Sequence, residues 1–307
     1  MALMYKALSI LWKFSRPHTI IGSVVSICTL WLLALNKDIY GQNLGLLCLT
    51  IIAGIGCNIF IVGLNQLIDI ELDKINKPDL PLANGTLFIW QAKTIIYISL
   101  LISLISAFSA SIILGWLIIV IVIIGVAYSV PPVQLKKHHL PAAFSITIVR
   151  GVLVNLGMFL HFKYATGLTT SDEMVQSLIQ IFSTELWMLT GFVIAFSIAI
   201  AWFKDLPDTL GDAKFRFKTL AIAYSPKTAF YGGLSLVSAA YLCTIYWSFI
   251  AGFTFLMVCH IGAMLLFVMN AMRTDLNQPQ KVTRFYLVFW IFFFAEYIFF
   301  AIWALNR

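Results

Sequence analysis

Apolar residues fill this chain in long, almost unbroken runs that are separated by short polar stretches. Nine such runs can be delimited, and most are close to the roughly 20 residues that a helix needs to cross a bilayer. The pattern predicts an all-α polytopic membrane protein with nine transmembrane helices packed as a bundle. The predicted spans are 19–35, 43–64, 93–110, 112–130, 141–161, 186–203, 229–249, 252–270 and 285–305.

The boundary between the third and fourth spans is the least defined, because 94–130 reads as one apolar run that is too long for one helix. Ser109 to Ser111 is the expected reversal point. A count of eight or ten helices stays open. The first nineteen residues form an amphipathic stretch with no small-residue cleavage site, so an interfacial segment is expected there and not a signal peptide.

Composition agrees with this class, since 61% of residues are hydrophobic and only 11% are charged. Soluble globular domains carry about 25% charged residues, so a soluble enzyme is excluded. The five cysteines lie in apolar spans without a CxxC pair. Neither disulfides nor zinc are expected.

Basic residues are distributed unevenly between the two sets of loops. Sixteen of the twenty Lys and Arg flank one end of the predicted spans, and only Lys37, Lys163 and Arg307 flank the other, with Arg150 inside a span. An excess of Lys and Arg marks the cytoplasmic side of membrane proteins. The N-terminus is therefore predicted to be cytoplasmic, in an integral protein of a bacterial inner membrane.

Two polar clusters follow the second and sixth spans, at the predicted cytoplasmic end. An acid at bilayer depth costs roughly 2.5–3.5 kcal/mol on insertion scales, so acids near spans are usually functional. Carboxylate and amide oxygens are ligands for Mg²⁺, which also accepts substrate phosphates. The predicted metal ligands are Asn65, Asp69 and Asp73 in the first cluster and Asp205, Asp208 and Asp212 in the second.

The two clusters differ in local geometry. On a helix, the four-residue spacing of Asn65, Asp69 and Asp73 places them within an arc of about 80°. The second cluster contains Pro207, which makes an unbroken helix doubtful but leaves a turn that could gather its carboxylates. Solvated helix ends are the alternative for either cluster alone.

Several cations and one phenol are placed where they could contact a diphosphate. An arginine inside a span needs a partner, and a phosphate or an acid would serve. Each also has a plainer interpretation, as an interfacial anchor, a topology charge or a structural ion pair. The candidates are Arg16, Lys77, Tyr128, Lys136, Arg150 and Lys204.

These motifs resemble those of the UbiA superfamily of intramembrane prenyltransferases. The resemblance rests on five segments: FSRPHTIIGS, VGLNQLIDIELDKINKPDLPLANG, AYSVPPVQLKK, VRGVLVNLG and AIAWFKDLPDTLGDAKF. Leu80 stands where many members have arginine in a KPxRP pattern, which is similar to the homogentisate prenyltransferase branch. Gln66 stands where many relatives have an acid.

The resemblance implies one UbiA-like transmembrane prenyltransferase domain over 1–307, with nine helices around a central cavity. It implies Mg²⁺ as cofactor, bound by the two clusters, with Asp69, Asp73, Asp205 and Asp208 as catalytic residues. The implied reaction transfers a prenyl group, phytyl or another C20 chain, to homogentisate with decarboxylation, in tocopherol and prenylquinone biosynthesis. The implied partners are the prenyl diphosphate, the aromatic acceptor and the bilayer, without nucleic acid or an obligate protein partner.

Two alternatives stay open. A UbiA-type enzyme could use another aromatic acceptor or a longer donor such as solanesyl diphosphate, as in plastoquinone or menaquinone synthesis. A cation-coupled transporter could also carry acids in its spans, although transporter acids usually lie near the membrane midplane.

Overall fold

The computed structural model describes residues 2–35 and 37–306, and within them the chain is helical with no β-strand. The predicted all-α class is confirmed. Arg307, one of the cations expected at the opposite end of the bundle, lies outside the described residues. In chain order the α-helices are α1 (Ala2–Phe14), α2 (Pro17–Ala34), α3 (Leu44–Ile68), α4 (Ile70–Asn76), α5 (Ile89–Ala110), α6 (Ile112–Ser129), α7 (His139–Thr147), α8 (Met158–Ala165), α9 (Ser171–Ile181), α10 (Thr184–Phe203), α11 (Thr209–Lys214), α12 (Leu220–Ala223), α13 (Pro226–Ile250), α14 (Thr254–Met272) and α15 (Pro279–Asn306).

Nine helices in the described part of the chain are long and apolar enough to cross a membrane, and each overlaps one predicted span. The reversal between the third and fourth spans falls at Ser111, as predicted. Ser111 is extended, and its hydroxyl accepts a hydrogen bond from the Leu114 N–H at 3.1 Å. A serine cap therefore starts α6 immediately after α5 ends, which sets the helix count at nine for these residues.

The predicted interfacial segment forms the separate helix α1. Its exposed face carries Tyr5, Leu8 and Trp12, while Phe14 at its end is fully buried. The chain breaks at Ser15 and Arg16 before α2 begins at Pro17. Apolar exposure on a short amphipathic helix is typical of a helix that lies in the membrane interface.

Helix α10 is the central helix of the bundle, because 72% of its apolar window is buried against 28% for α13 and α14. It packs against α7, α13 and α15. The Phe196 ring stacks on Phe289 at 4.6 Å, and the Phe203 ring meets Phe285 edge-on at 5.0 Å. This aromatic packing positions the C-terminal end of α10, where the second acidic cluster begins.

A ten-residue π-helical stretch, Ile148–Gly157, joins α7 to α8 within the fifth span. It carries Arg150 and Asn155. In an α-helix, at about 100° per residue, residues five apart point in different directions. In a π-helix the i→i+5 hydrogen bonds place them one above the other. Arg150 and Asn155 therefore lie one turn apart on one face, and not the one and a half turns expected from an α-helix.

Two histidines in the spans have polar partners of their own. The His161 ring contacts the hydroxyls of Thr50 at 2.9 Å and Ser111 at 2.7 Å. His260 is paired with Glu296 across α14 and α15 at 3.0 Å, and both side chains are buried. These pairs link neighbouring helices inside the bundle and account for Glu296, an acid that sequence alone leaves without a role.

Close packing of α3 against α5 generates a first prediction. A Cβ at Gly56 would lie 2.7 Å from the Ser99 carbonyl oxygen and 2.9 Å from Ser103 Cβ. Small residues allow such close helix approach in membranes. Gly56→Ala should lower the free energy of unfolding by about 1–3 kcal/mol, measured as a lower melting temperature in detergent.

The matched control is Gly262→Ala in α14, where a Cβ would meet no atom within 4 Å. Alanine is a better helix former than glycine by up to about 1 kcal/mol, so this variant should be as stable as the wild type or more so. Equal melting temperatures for the two variants would contradict the packing described for α3 and α5.

Candidate active site

The first acidic cluster keeps its stripe although the helix breaks inside it. Helix α3 ends at Ile68 and α4 begins at Ile70, with Asp69 at the junction. Backbone N–H groups still bond four residues back, from Asp69 to Asn65 at 3.0 Å and from Asp73 to Asp69 at 2.7 Å. Lys77 continues the series to Asp73 at 2.8 Å. The four residues therefore stack on one face, as the four-residue spacing predicts.

The second acidic cluster lies on the broken turn that Pro207 predicts. Helix α10 ends at Phe203, and α11 begins at Thr209 after a turn. The Asp208 N–H bonds only three residues back, to the Asp205 carbonyl at 3.3 Å. The three aspartates of this cluster are nevertheless all buried.

Asn76 joins the two clusters, which are about 130 residues apart in sequence. Its side-chain oxygen accepts the Gly211 N–H at 2.9 Å, and its amide donates to the Asp212 carboxylate at 3.1 Å. A Cβ at Gly211 would lie 2.2 Å from that amide oxygen, so this contact requires glycine. Lys77, the next residue, forms an ion pair with Asp208.

The five aspartates at this end of the bundle are called the carboxylate cluster here. All five are buried. Its members are Asp69, Asp73, Asp205, Asp208 and Asp212.

Three lysines neutralise part of the carboxylate cluster. Lys136 contacts Asp69 at 2.5 Å, Lys204 contacts Asp205 at 2.7 Å, and Lys77 contacts Asp208. Burial lowers the pKa of Lys136, and Asp69 opposes that shift. Burial acts on Lys204 in the same direction, but Asp205 outweighs it and raises the pKa of Lys204 well above its ordinary value.

The two remaining aspartates have no lysine partner. Burial raises the pKa of Asp73 to about 6, although Arg16 and Lys77 partly oppose the shift. Burial raises the pKa of Asp212 to about 7, and the charges of neighbouring aspartates add to it. One oxygen of Asp73, Oδ2, is buried without a hydrogen-bond partner. Both carboxylates are poised to exchange a proton for a cation near neutral pH.

Two loops from distant parts of the chain are joined by backbone hydrogen bonds at this end of the bundle. The Lys218 N–H donates to the Lys137 carbonyl at 2.7 Å, and the His139 N–H donates to the Lys218 carbonyl at 3.0 Å. These bonds tie the loop after α6 to the loop after α11. The side chain of Lys136, which belongs to the first of these loops, is only 5% exposed.

The structure places Arg16 and Tyr128 beside the carboxylate cluster. Arg16 adopts a positive φ of 52°, which is uncommon for a residue with a side chain, and its charge acts on Asp73. Tyr128, in the last turn of α6, interacts with Lys204 and lies near Asp205 and Asp69. Asn65 is half-buried and donates to the Ser129 hydroxyl at 3.3 Å. All three predicted positions therefore fall at this end of the bundle.

Arg150 is placed differently from the other predicted cations. Its guanidinium lies over the Trp290 ring, 4.7 Å from the centroid, inside the bundle. Asn155, one turn on, accepts a hydrogen bond from the Tyr297 hydroxyl at 2.8 Å. No carboxylate among residues 2–35 and 37–306 forms an ion pair with Arg150.

The donor set fits Mg²⁺ in its chemistry. Within the described residues, no three acidic, His or Cys side chains converge into a ready-made metal site. Mg²⁺ does not require one, since it commonly takes one or two carboxylates together with waters and substrate phosphates. The buried, unpartnered Oδ2 of Asp73 offers one such ligand.

Sequence reasoning missed Asn76 and Gly211. Both lie inside the quoted motifs, in KINKP and DTLGDAK, but a single sequence does not show that they touch. Glu71 and Lys74 pair with each other on the surface, with side chains 68% and 49% exposed. Glu71 therefore lies on the surface, apart from the buried carboxylates of its own segment.

Comparison with known proteins identifies the family. Residues 25–295 match the UbiA prenyltransferase family. The chain belongs to the UbiA prenyltransferase family. The resemblance predicted from the sequence motifs is thereby confirmed.

Two relatives match along nearly the whole of this UbiA chain. A homogentisate phytyltransferase from Synechocystis sp. is 38% identical over 305 residues, covering 96% of each chain. Homogentisate phytyltransferase 1 from Arabidopsis thaliana is 33% identical over 305 residues, covering 95% of this chain and 74% of its own.

Solved structures share the fold. A UbiA homologue from Archaeoglobus fulgidus, bound to GPP and Mg²⁺, aligns with a TM-score of 0.63 at 12% identity. The match covers 95% of this chain and 99% of that chain. At this identity the likeness shows the fold alone, which is that of a helical membrane protein.

The raised carboxyl pKa values predict a pH-dependent effect of Mg²⁺ on stability. Without metal, Asp73 and Asp212 contribute stability that is present below their unfolded pKa near 3.8 and lost as pH rises through about 6 and 7. A cation that binds the ionised carboxylates reverses that loss. Mg²⁺ should therefore raise the melting temperature in detergent more at pH 8 than at pH 5.5.

Two variants sharpen this test. Asp73→Asn should reduce the Mg²⁺-dependent rise at pH 8, because it removes an ionisable ligand. Asp275→Asn, in the loop between α14 and α15 and outside the carboxylate cluster, should leave the rise unchanged. An equal effect of Mg²⁺ at the two pH values would argue against metal binding at these carboxylates.

Asn76 generates a second prediction at this site. Asn76→Ala removes both hydrogen bonds to the second cluster, each worth about 0.5–1.5 kcal/mol or more when a charged group is involved. The variant should raise the KM for the diphosphate substrate about tenfold and lower the melting temperature. Asn84→Ala, whose side chain bonds only within its own loop, should change neither. An unchanged KM in Asn76→Ala would show that the contact does not align the clusters.

Proposed function

We propose that this chain transfers a prenyl group, phytyl or a similar C20 chain, from its diphosphate to the ring of homogentisate. The observation that carries the proposal is the meeting of two acidic clusters from distant spans, joined by Asn76 and interleaved with lysines. The relatives named as homogentisate phytyltransferases support the acceptor and the donor. The pathway served would be tocopherol or prenylquinone biosynthesis.

The cations at the carboxylate cluster would bind the diphosphate. Lys77, Lys136 and Lys204 each hold a carboxylate in the absence of substrate. Removing one partner from a buried ion pair costs about 3–5 kcal/mol, so a charge that leaves must be replaced. Phosphate oxygens can form new ion pairs with the lysines, while a bound cation pairs with the carboxylates. Arg16, which acts on Asp73 from the end of α1, would add a further contact.

Bound Mg²⁺ would supply positive charge that stabilises the departing pyrophosphate. It would be held by Asn65, Asp69 and Asp73 on one side and by Asp205, Asp208 and Asp212 on the other. Asp69, Asp73, Asp205 and Asp208 are the proposed catalytic residues. The chain's own task is to fix these oxygens, and the Asn76 contact with Gly211 and Asp212 does so across the two clusters.

The proposed reaction exchanges one bond for another. The bond between donor C1 and the diphosphate oxygen breaks, and a ring carbon of homogentisate forms a bond to C1. The ring proton leaves with pyrophosphate. The acceptor carboxylate departs as CO₂, and a proton takes its place on the methylene carbon. Tyr128, which interacts with Lys204, would lie near the breaking bond.

The site residues, the domain organisation and the orientation belong to the same proposal. We infer a single domain over 1–307 in a bacterial inner membrane, with the carboxylate cluster facing the cytoplasm. Sixteen of the twenty Lys and Arg flank that end of the spans in the sequence, in agreement with the positive-inside rule. Membership of a prenyltransferase family leaves the transporter alternative without support. A longer donor remains the second candidate within the family.

Activity in detergent tests the proposal directly. Purified protein with Mg²⁺, homogentisate and a panel of prenyl diphosphates should form a prenylquinol, with the highest kcat/KM for a C20 donor. Removal of Mg²⁺ by a chelator should abolish turnover. Asp73→Asn and Asp208→Asn should each reduce turnover by at least about a hundredfold, whereas Asp275→Asn should retain it.

Three results would count against specific parts of the proposal. Formation of no prenylquinol with any donor would exclude the enzyme assignment. Consumption of hydroxybenzoate without homogentisate would exclude only the acceptor. Wild-type turnover in Asp73→Asn or Asp208→Asn would remove that residue from the site.

A further inference from the structure

A second cationic site lies inside the bundle, beside the carboxylate cluster but separate from it. It consists of Arg150 in the π-helical stretch, Trp290 in α15 and His18 in α2. The guanidinium covers the indole at 4.7 Å, and the His18 ring packs against the same indole at 4.9 Å. Three elements from different parts of the chain therefore converge on Trp290.

Two hydrogen-bond donors of this site have no acceptor among the described residues. Lys77, Lys136 and Lys204 each contact a carboxylate, but Arg150 forms no ion pair in the described chain. The Trp290 indole N–H is buried, at 2% residue exposure, and has no acceptor among the described residues. A guanidinium and an N–H donor without acceptors, next to aromatic faces, suit an aromatic ligand that carries a carboxylate.

Arg150 differs from the proposed diphosphate contacts in its direct partners, although Arg16, Lys77 and Arg150 all act on His18. The cations that act on Asp73, Asp205 and Asp212 include Arg16, Lys77 and Lys204, and Lys136 forms an ion pair with Asp69. Arg150 is not among them. Tyrosine hydroxyls act on Arg150, including that of Tyr128. Tyr128 also interacts with Lys204, so it acts on a cation of each site.

The fold holds Arg150 firmly in this position. The π-helical stretch turns Asn155 to the same face as Arg150, one turn away. Asn155 is fixed by the Tyr297 hydroxyl at 2.8 Å, and Tyr297 lies two turns beyond Trp290 on α15. The hydrogen bond thus locks the π-helical stretch against the helix that supplies the indole.

We propose that Arg150 binds the carboxylate of the aromatic acceptor, with Trp290 and His18 forming the surface against which the acceptor ring packs. This inference rests on the proposed function. It assigns Arg150 to the acceptor and leaves the diphosphate to Arg16 and the three lysines. A guanidinium binds a carboxylate through two parallel hydrogen bonds, which fixes the orientation of the ring as well as its charge.

Steady-state kinetics with both substrates test this assignment. Arg150→Gln should raise the KM for homogentisate about tenfold or more, the loss expected for hydrogen bonds to a charged group. The KM of this variant for the prenyl diphosphate should stay within about twofold of the wild-type value. Arg284→Gln, an exposed arginine earlier on α15, should change neither constant.

Competition with a neutral analogue separates charge recognition from a structural role. The wild type should bind homogentisate more tightly than its methyl ester, and Arg150→Gln should lose that preference. Arg150→Lys keeps the charge without the two-pronged geometry, so it should retain part of the preference. This variant carries the test if Arg150→Gln does not fold.

The outcomes distinguish this inference from the proposed function. If the wild type prenylates homogentisate and Arg150→Gln keeps its acceptor KM, the inference is wrong and the function stands. A raised donor KM alone would return Arg150 to the diphosphate, and an equal weakening of acid and ester would make its role structural. If the wild type does not use homogentisate at all, the proposed function fails and takes this inference with it.

Discussion

Neutralisation of buried charge at one end of the bundle is the constraint on which the rest of the structure depends. Five aspartates are buried there, and isolated carboxylates are costly at such depth. Three lysines from different loops neutralise three of them, while burial keeps the pKa of Asp73 and Asp212 near the physiological range. The fold must therefore place each lysine within hydrogen-bonding distance of its partner aspartate. The contacts of Asn76 with α11, and the hydrogen bonds between the loops after α6 and α11, hold the segments that carry these residues together.

Packing in the aromatic core fixes the positions of the helices that carry these residues. Helix α10 is buried along most of its length and is held by stacked phenylalanines from α15, so its last turn cannot drift. Close approach of α3 to α5 at Gly56 positions the other acidic segment in the same way. The two segments then meet through Asn76, which fills the space that glycine leaves at position 211. Packing within the apolar layer thus sets the geometry of the polar layer above it.

The bundle also separates two kinds of cation by their surroundings. The lysines lie among the aspartates of the carboxylate cluster. There a phosphate can replace an aspartate as the partner of a lysine, and a divalent cation can replace the lysine as the partner of the aspartate. Arg150 sits among aromatic rings in a π-helical stretch, where no acid competes for its guanidinium. Lysine is a compact, mobile charge, whereas the planar guanidinium stacks on an indole and still presents its N–H groups. The difference in residue type therefore follows the difference in site.

Local pattern in the sequence determined the nine spans, the reversal at Ser111, the stripe of Asn65, Asp69 and Asp73, and the break at Pro207. Each of these depends on residues within a few turns of one another, through apolar run length, capping and backbone hydrogen bonding. The motifs also determined the family. Only the tertiary structure decided that Asn76 reaches Gly211, which lysine pairs with which aspartate, and that Arg150 lies on Trp290. Apart from the adjacent pair Lys204 and Asp205, those contacts join residues 67 to 140 positions apart, and the packing of whole helices selects them. The π-helical stretch belongs with them, since nothing in its local sequence distinguishes it from an α-helix, and its Asn155 side chain is held by Tyr297 from another helix.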